Sequence, residues 1–444
     1  MEAVRGKEDR AEPRLVSLLA DDSLFSIIDD VIEKLTAANA LSEPRLPELG
    51  VKLATRTKER GAVKLGIALL GVTARSEHEA LVVTLGKHEE LTLYSAVALC
   101  NMLPQPEQAL WNLAKCVDGW GRIEVVERLV PVENPEIKAW LWREGFRNSI
   151  MHEYLAHIAA VHGDLCDALR NEDFDHDDLV SVSDLILALI RGNGGPALGM
   201  DDYADAGDAC RLYLRHARRH TPDLRHFLTA QAILEYLRAD ERDAAAKLSG
   251  GWSEAAIESI ESAATGFVTS ERWTGLVERG LRSDDEMEFD LADEAARFVD
   301  IDPYEHHWTR LRADPNDMLR WARVMQHANE SRISEIVSFA EAQIPLDEIA
   351  SGAADETGLG PEFADHGCLD WVLQDLDAYP GHGWTLIKTG LKSPVVRHRN
   401  MALNAIEEWG RESWPDETEN VLAQAMEVET DESLRERLTN LLAK

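Results

Sequence analysis

Two short stretches of this 444-residue sequence carry histidine and acidic side chains at spacings that resemble metal sites. In the first, His152 and Glu153 are followed by His157. A zinc-protease helix needs two histidines four residues apart, so that both side chains lie on one face. Here the histidines are five residues apart, which places them about 140° apart around a helix of 3.6 residues per turn. We therefore predict no zinc site in this stretch.

The second stretch, Asp173, Asp175 and Asp177, alternates like the start of an EF-hand calcium loop. An EF-hand also needs a central glycine and a glutamate at the end of the loop, but the end is occupied by Val, Ser and Asp at 182–184. A di-iron bundle would need Glu-x-x-His on two helices, and the sequence shows no such pair. The sequence therefore predicts no catalytic, metal-binding or cofactor-binding residue, and no cofactor.

One basic cluster stands out in this acidic chain. It comprises Arg211, Arg215, Arg218, Arg219, Arg225 and His226, with His216 and His220 between them. At helical spacing, Arg211, Arg215 and Arg218 share a face. They can pair with nearby Asp and Glu side chains, or they can anchor an acidic peptide, a phosphate or another anion. We take the arginines as candidate partner-binding residues.

Tryptophan residues recur near the ends of the predicted helices. Tryptophan is often a hot spot of binding, but recurrence at repeat positions favours packing between repeat units. Trp120 and Trp142 flank the most distinctive segment of the chain, Gly119 to Asn148. We expect these two tryptophans to contact a partner if any do.

The composition excludes some classes of function. The formal net charge is −35, from 81 acidic and 46 basic residues. Such a surface repels nucleic acid and anionic membranes, because phosphate binding needs clustered Lys and Arg, and it suits basic protein partners. The charged N-terminus has no apolar core for a signal peptide, and no 18-residue apolar run is present. We therefore predict a cytoplasmic protein with a protein or peptide partner, no nucleic acid and no membrane.

The stretch Gly383–Trp409 predicts an antiparallel helix pair, turned by Ser393-Pro394 and ended by Gly410. Shifted back by 110 residues, it aligns with Arg272–Val299. A small apolar position recurs as Ala96, Ala156, Ala292 and Ala402. The steps of 60 and 110 residues are divided by units of roughly 30 to 40 residues, near the periods of helical solenoids.

This pattern resembles the HEAT and armadillo-like α-solenoid families. The resemblance is carried by Ser393-Pro394, Val396, Arg399, Met401-Ala402, Ala405 and Ile406. It implies an all-α fold, a curved array of antiparallel helix pairs, in which Arg399 stabilises the turns between units. It also implies a non-enzymatic scaffold that binds a protein or peptide on its concave face.

Two other functions stay open. The segment from Trp120 to Ala160 resembles bacterial chains labelled limonene hydroxylase, which implies an enzyme. Some HEAT-like proteins are DNA repair glycosylases, which would imply a nucleic-acid-processing protein, but the charge of −35 opposes this. No haem, flavin or non-haem iron motif is recognisable, so we favour the scaffold over an enzyme.

No useful β alternation is found, which also predicts an all-α protein. We predict a disordered N-terminus at 1–14, an N-terminal helical-repeat array at 15–249, a middle array at 252–349, a linker or loop at 350–361 and C-terminal HEAT-like repeats at 362–444. The break between the first two arrays is placed at Gly250-Gly251 because paired glycines mark turns and loops.

Overall fold

The computed structural model describes residues 11–20, 26–73, 75–171, 174–238 and 252–443. Those residues form 26 α-helices and no β-strand, with one isolated bridge between Glu356 and Val395. The predicted all-α fold is therefore confirmed. Tertiary contacts divide the chain into two units, Met1–Trp273 and Thr274–Lys444.

The N-terminal unit is built from fifteen helices in the described residues. They are α1 Ala11–Leu18, α2 Ile28–Ala37, α3 Leu46–Arg56, α4 Arg60–Val72, α5 Glu79–Gly86, α6 Glu89–Met102, α7 Glu107–Ala114, α8 Gly119–Leu129, α9 Pro135–Trp140, α10 Glu153–His162, α11 Leu165–Leu169, α12 His176–Gly192, α13 Ala206–Ala217, α14 Leu224–Arg238 and α15 Glu254–Val268. Each packs mainly on helices close to it in the sequence, as in α3 on α4, α4 on α6, and α6 on α8. Helix α6 is apolar on nearly every face, and it packs against α4, α5 and α8, which cover it on several sides.

Helix α16 starts at the division between the units, and ten more helices follow it. They are α16 Arg272–Gly280, α17 Glu286–Ala296, α18 Tyr304–Ala313, α19 Met318–Gln326, α20 Ile333–Gln343, α21 Leu346–Ile349, α22 Ala364–Asp375, α23 Trp384–Leu391, α24 Val396–Trp409, α25 Thr418–Val428 and α26 Glu432–Ala443. Neighbours again pack in pairs, α18 on α19, α23 on α24 and α25 on α26. The apolar faces of α18 to α26 form one core, whose buried residues run from Tyr304 to Leu441.

The helix pair predicted from Gly383–Trp409 is present as α23 and α24. Gly390 lies against Ala402, so closely that a Cβ on Gly390 would sit 3.1 Å from the Ala402 methyl carbon. The four positions predicted to be small and buried, Ala96, Ala156, Ala292 and Ala402, are all fully buried. Close approach of two helices explains why a small residue recurs there.

The Ser393-Pro394 turn differs slightly from the prediction, because α24 begins at Val396. The Ser393 hydroxyl accepts a hydrogen bond from the Val395 amide, just before the helix. Arg399 is fully buried and donates hydrogen bonds to the carbonyls of Ser393 and Pro394. Arg399 thus holds the turn within the α23–α24 pair, and the implied role of Arg399 in the turns between units stays a prediction.

Other boundaries also differ from the sequence predictions. Residues 11–14, predicted to be disordered, are the first turn of α1, while residues 1–10 lie outside the described residues. Gly250-Gly251, where the break between the first two arrays was predicted, also lies outside the described residues, so that break stays a prediction. Residues 350–361 run as a loop that is tied to the turn before α24 by a hydrogen bond from the Gly352 amide to the Lys392 carbonyl. No described helix has the length and apolar character needed to cross a membrane.

Candidate functional site

Two adjoining cavities lie on the surface of the C-terminal unit. One of about 900 Å³ lies between α17, the loop after it and the end of α19. The other, of about 1030 Å³, lies between α17, α19 and the end of α22. Asp290 of α17 and Arg323 and Gln326 of α19 line both cavities. We call the two cavities together the acidic groove.

Helical periodicity explains why the groove is polar. Phe289, Ala292 and Ala296 turn one face of α17 into the core. Asp290 and Asp293 follow Glu286 by four and seven residues, so these three side chains share another face of α17. An aspartate at each N-cap, Asp285 for α17 and Asp317 for α19, fixes where each helix starts and hence which residues face the groove.

Carboxylates dominate the lining of the acidic groove. The carboxylates are Glu286, Asp290, Asp293, Glu294, Asp300, Asp302, Asp317, Asp375 and Asp377, and the guanidinium groups are Arg297, Arg320 and Arg323. Some of the acids are paired: Glu286 with Arg310 and Arg320, and Asp302 with Arg332. Within the described part of the chain, Asp290, Glu294, Asp300, Asp375 and Asp377 have no ion pair with a basic side chain. The groove is therefore a region of uncompensated negative charge.

Aromatic side chains form part of the wall of the larger cavity. Trp371 and Tyr379 are half-buried beside Asp375 and Asp377. Burial raises the pKa of Asp375, and the neighbouring Asp377 carboxylate raises it further. A cation bound next to Asp375 would oppose both effects, because it stabilises the charged carboxylate.

Two histidines and an aspartate from three helices meet at the smaller cavity. One nitrogen or oxygen from each of Asp293, His307 and His327 lies within 4.8 Å of the others. His307 is fully buried, and its Nε2 lies 2.8 Å from Asp293 Oδ1. Burial works to raise the pKa of Asp293, but the hydrogen bond and the charge of His307, together with Arg323 and His327, outweigh it and lower that pKa. Burial and His307 lower the pKa of His327.

The predicted arginine cluster lies elsewhere in the N-terminal unit, on α13, in the turn after it and on α14, and most of it is engaged within the chain. Arg211 pairs with Asp208 at 2.9 Å. Arg215 donates to the Leu169 carbonyl at 3.4 Å, and Arg218 donates to the Ala263 carbonyl at 2.6 Å. Arg219 is exposed, and Arg225 is half-buried. These contacts give two of the arginines a structural role, and a partner-binding role for the cluster stays a prediction.

The two candidate tryptophans differ in exposure. Trp120 is 57% exposed and packs on Tyr154, with the ring centroids 5.2 Å apart. Trp142 is only 4% exposed and stacks on Phe174 at 5.5 Å. Trp142 is therefore a core residue in this conformation, and a contact between Trp142 and a partner stays a prediction.

The two stretches whose histidine and aspartate spacing resembles metal sites have local contacts. His152 Nδ1 accepts a hydrogen bond from the Asn148 amide, and a ring nitrogen of His157 lies 3.2 Å from the Asp202 carbonyl. Asp175 accepts from the Asp178 amide and caps α12, while Asp173 lies outside the described residues.

A hydroxyl–imidazole–carboxylate chain that sequence reasoning missed is buried in the C-terminal unit. Ser393 Oγ lies 2.9 Å from His398 Nδ1, and His398 Nε2 lies 2.7 Å from Asp370 Oδ1. The residue types are those of a serine-hydrolase triad, but the two ring nitrogens are exchanged, because in the triad Nε2 contacts the serine and Nδ1 contacts the aspartate. Ser393 and His398 are also fully buried, so no substrate reaches the hydroxyl in this conformation. A similar buried network joins Ser183 to Tyr213 and His226 in the N-terminal unit.

No known family matches the chain, and no curated protein matches it.

Proposed function

We propose that this protein is a non-enzymatic, HEAT-like helical-repeat scaffold, and that its acidic groove binds a Lys- and Arg-rich segment of a protein partner. The observation that carries the proposal is the lining of the groove, nine carboxylates against three guanidinium groups. Five of those carboxylates have no basic partner among the described residues. A basic segment would neutralise charge that the fold leaves unbalanced.

The aromatic wall supports the same ligand. Lys and Arg side chains bind over the faces of Trp and Tyr by cation–π attraction, which strengthens when the pair loses water. Trp371 and Tyr379 lie beside two of the unpaired carboxylates, Asp375 and Asp377. A basic side chain placed there would contact an aromatic ring and a carboxylate together.

The alternatives find less support. An enzyme of the type labelled limonene hydroxylase rests on resemblance, and the two buried hydroxyl–imidazole networks are closed to substrates. A nucleic-acid-processing protein would have to bind phosphates, which the negative charge of the groove repels.

A direct test uses a fluorescein-labelled Lys/Arg-rich peptide and the same peptide with Glu at every basic position. Only the basic peptide should raise fluorescence anisotropy with the full chain. The binding should weaken with salt, because exposed charges are screened over about 10 Å at 0.1 M ionic strength.

A pair of matched variants locates the binding site. Asp375→Asn with Asp377→Asn should weaken binding about tenfold, from roughly 0.7 kcal/mol per charge contact. Asp29→Asn with Asp30→Asn removes the same charge from exposed positions on α2 and should leave binding unchanged. An equal loss of peptide affinity in both double variants would show that the peptide binds negative charge in general. It would refute the groove as the binding site.

A further inference from the structure

Asp293, His307 and His327 have the chemical composition of a transition-metal site. Two imidazoles and one carboxylate are common ligands of Zn²⁺ and of other divalent transition metals, and three protein ligands leave a further position open. Asp293 lies on α17, His307 lies on α18, and His327 directly follows α19, so the site is held by three separate segments of the chain.

The distances suit an ion after a small adjustment. The three ligand atoms lie within 4.8 Å of one another. In a tetrahedral site with metal–nitrogen bonds of 2.0–2.1 Å, ligand atoms are about 3.4 Å apart. His307 and Asp293 are already closer than that, at 2.8 Å. The His327 ring, which is partly exposed and follows the last residue of α19, would have to move inwards by at most about 1.4 Å.

The buried imidazole of His307 is left with unmet hydrogen bonding. Its Nε2 contacts Asp293, while its Nδ1 has no hydrogen-bond partner in the described part of the chain. Because Nε2 faces Asp293, Nε2 is the nitrogen that would bind an ion, and the unpartnered Nδ1 lies on the other edge of the ring. Phe289 packs edge-on against the His307 ring at 5.1 Å and adds an apolar side to the cluster.

An outer carboxylate and an access path complete the arrangement. Asp302 Oδ1 lies 3.8 Å from His327 Nδ1, and metal-binding histidines usually donate their other ring N–H to such a carboxylate. Asp293 and His327 both line the smaller cavity, so an ion could enter from solvent.

We propose that Asp293, His307 and His327 bind one divalent transition-metal ion of the Zn²⁺ class, with an open coordination position towards the smaller cavity. This proposal does not depend on the peptide-binding function, because it rests on the three ligands and is tested with metal alone.

The test titrates the EDTA-stripped full chain with Zn²⁺ by calorimetry and with Co²⁺ by visible absorption. We expect one ion per chain. His327→Ala and Asp293→Asn should each weaken binding more than about 100-fold, beyond the loss usual for an outer-shell partner, and Asp302→Asn should weaken it about 10- to 100-fold. His307→Ala should abolish binding, but the other variants decide the outcome if this buried change prevents folding.

Two further variants serve as controls. His306→Ala removes a histidine next to His307 in sequence but outside the cluster, and it should leave binding unchanged. Arg323→Ala removes a positive charge 3.7 Å from Asp293, so it should bind Co²⁺ at least as tightly as the wild type. No bound ion, or binding that persists in both His327→Ala and Asp293→Asn, would overturn the proposal and leave the cluster as an ion-pair network.

Discussion

Replacing Glu429 with alanine should strongly destabilise the C-terminal unit, because it strands a buried charge. The Arg399 and Glu429 side chains are 1% and 3% exposed, and Arg399 Nη2 lies 2.8 Å from Glu429 Oε1. Arg399 Nε also donates to both oxygens of Glu429. The same carboxylate accepts the amides of Thr430 and Asp431, just before α26. Alanine would remove all of these acceptors at once.

The expected magnitude follows from this burial. Removing one partner of a buried ion pair costs about 3–5 kcal/mol. For a unit of 171 residues, Thr274–Lys444, each kcal/mol lowers the Tm by about 2–4 °C. The Tm of that unit should therefore fall by about 6–20 °C. Differential scanning calorimetry measures the change, and limited proteolysis at intermediate temperature shows whether the C-terminal unit is the part that opens.

A matched control makes the same substitution at an exposed ion pair. Glu417 pairs with Lys388 at 2.9 Å, with both side chains partly exposed, and Glu417→Ala should leave the Tm nearly unchanged because exposed pairs contribute little. The reasoning is refuted if Glu429→Ala shifts the Tm no more than Glu417→Ala does.

Three more predictions concern other parts of the fold. Ala402→Asp should destabilise the C-terminal unit by several kcal/mol, because its carboxylate would be buried without a partner; an unchanged calorimetric trace would contradict this. Arg215→Glu with Arg218→Glu should lower the Tm, because both arginines donate to backbone carbonyls of other helices; an unchanged Tm with loss of partner binding would instead support the predicted partner site. Burial lowers the pKa of His226 to about 4, against the opposing charge of Asp223 and with help from His176, His220 and Arg225. Between about pH 6.5 and 4 the unfolded chain therefore binds more protons than the folded chain. The free energy of unfolding, measured with urea, should keep its full value above this range and fall as the pH drops through it. His226→Gln should flatten this pH dependence.

Sequence periodicity was enough to predict the helices, because it reports a local property. Residues three and four apart share a helix face whatever lies around them. The stretch Gly383–Trp409 therefore marked the α23–α24 pair. The burial of Ala96, Ala156, Ala292 and Ala402 also followed from sequence, because close helix packing admits only a small side chain.

Exposure of single side chains was harder to predict. Trp120 and Trp142 belong to one segment, yet one is exposed and the other is buried. The cluster of arginines was visible in the sequence, but their contacts with the carbonyls of Leu169 and Ala263 were not. Every residue type has a backbone carbonyl, so the sequence does not indicate which carbonyl an arginine contacts.

The acidic groove and the Asp293, His307 and His327 cluster were decided by tertiary structure alone. The three residues are 14 and 20 positions apart, and no rule of local spacing connects them. Asp293 lies on the polar side of α17 and His327 directly after α19, whereas His307 lies on the buried face of α18, so the cluster forms only where these helices pack together. The sequence determines which face of each helix is polar, and only the packing of the helices determines which polar faces meet.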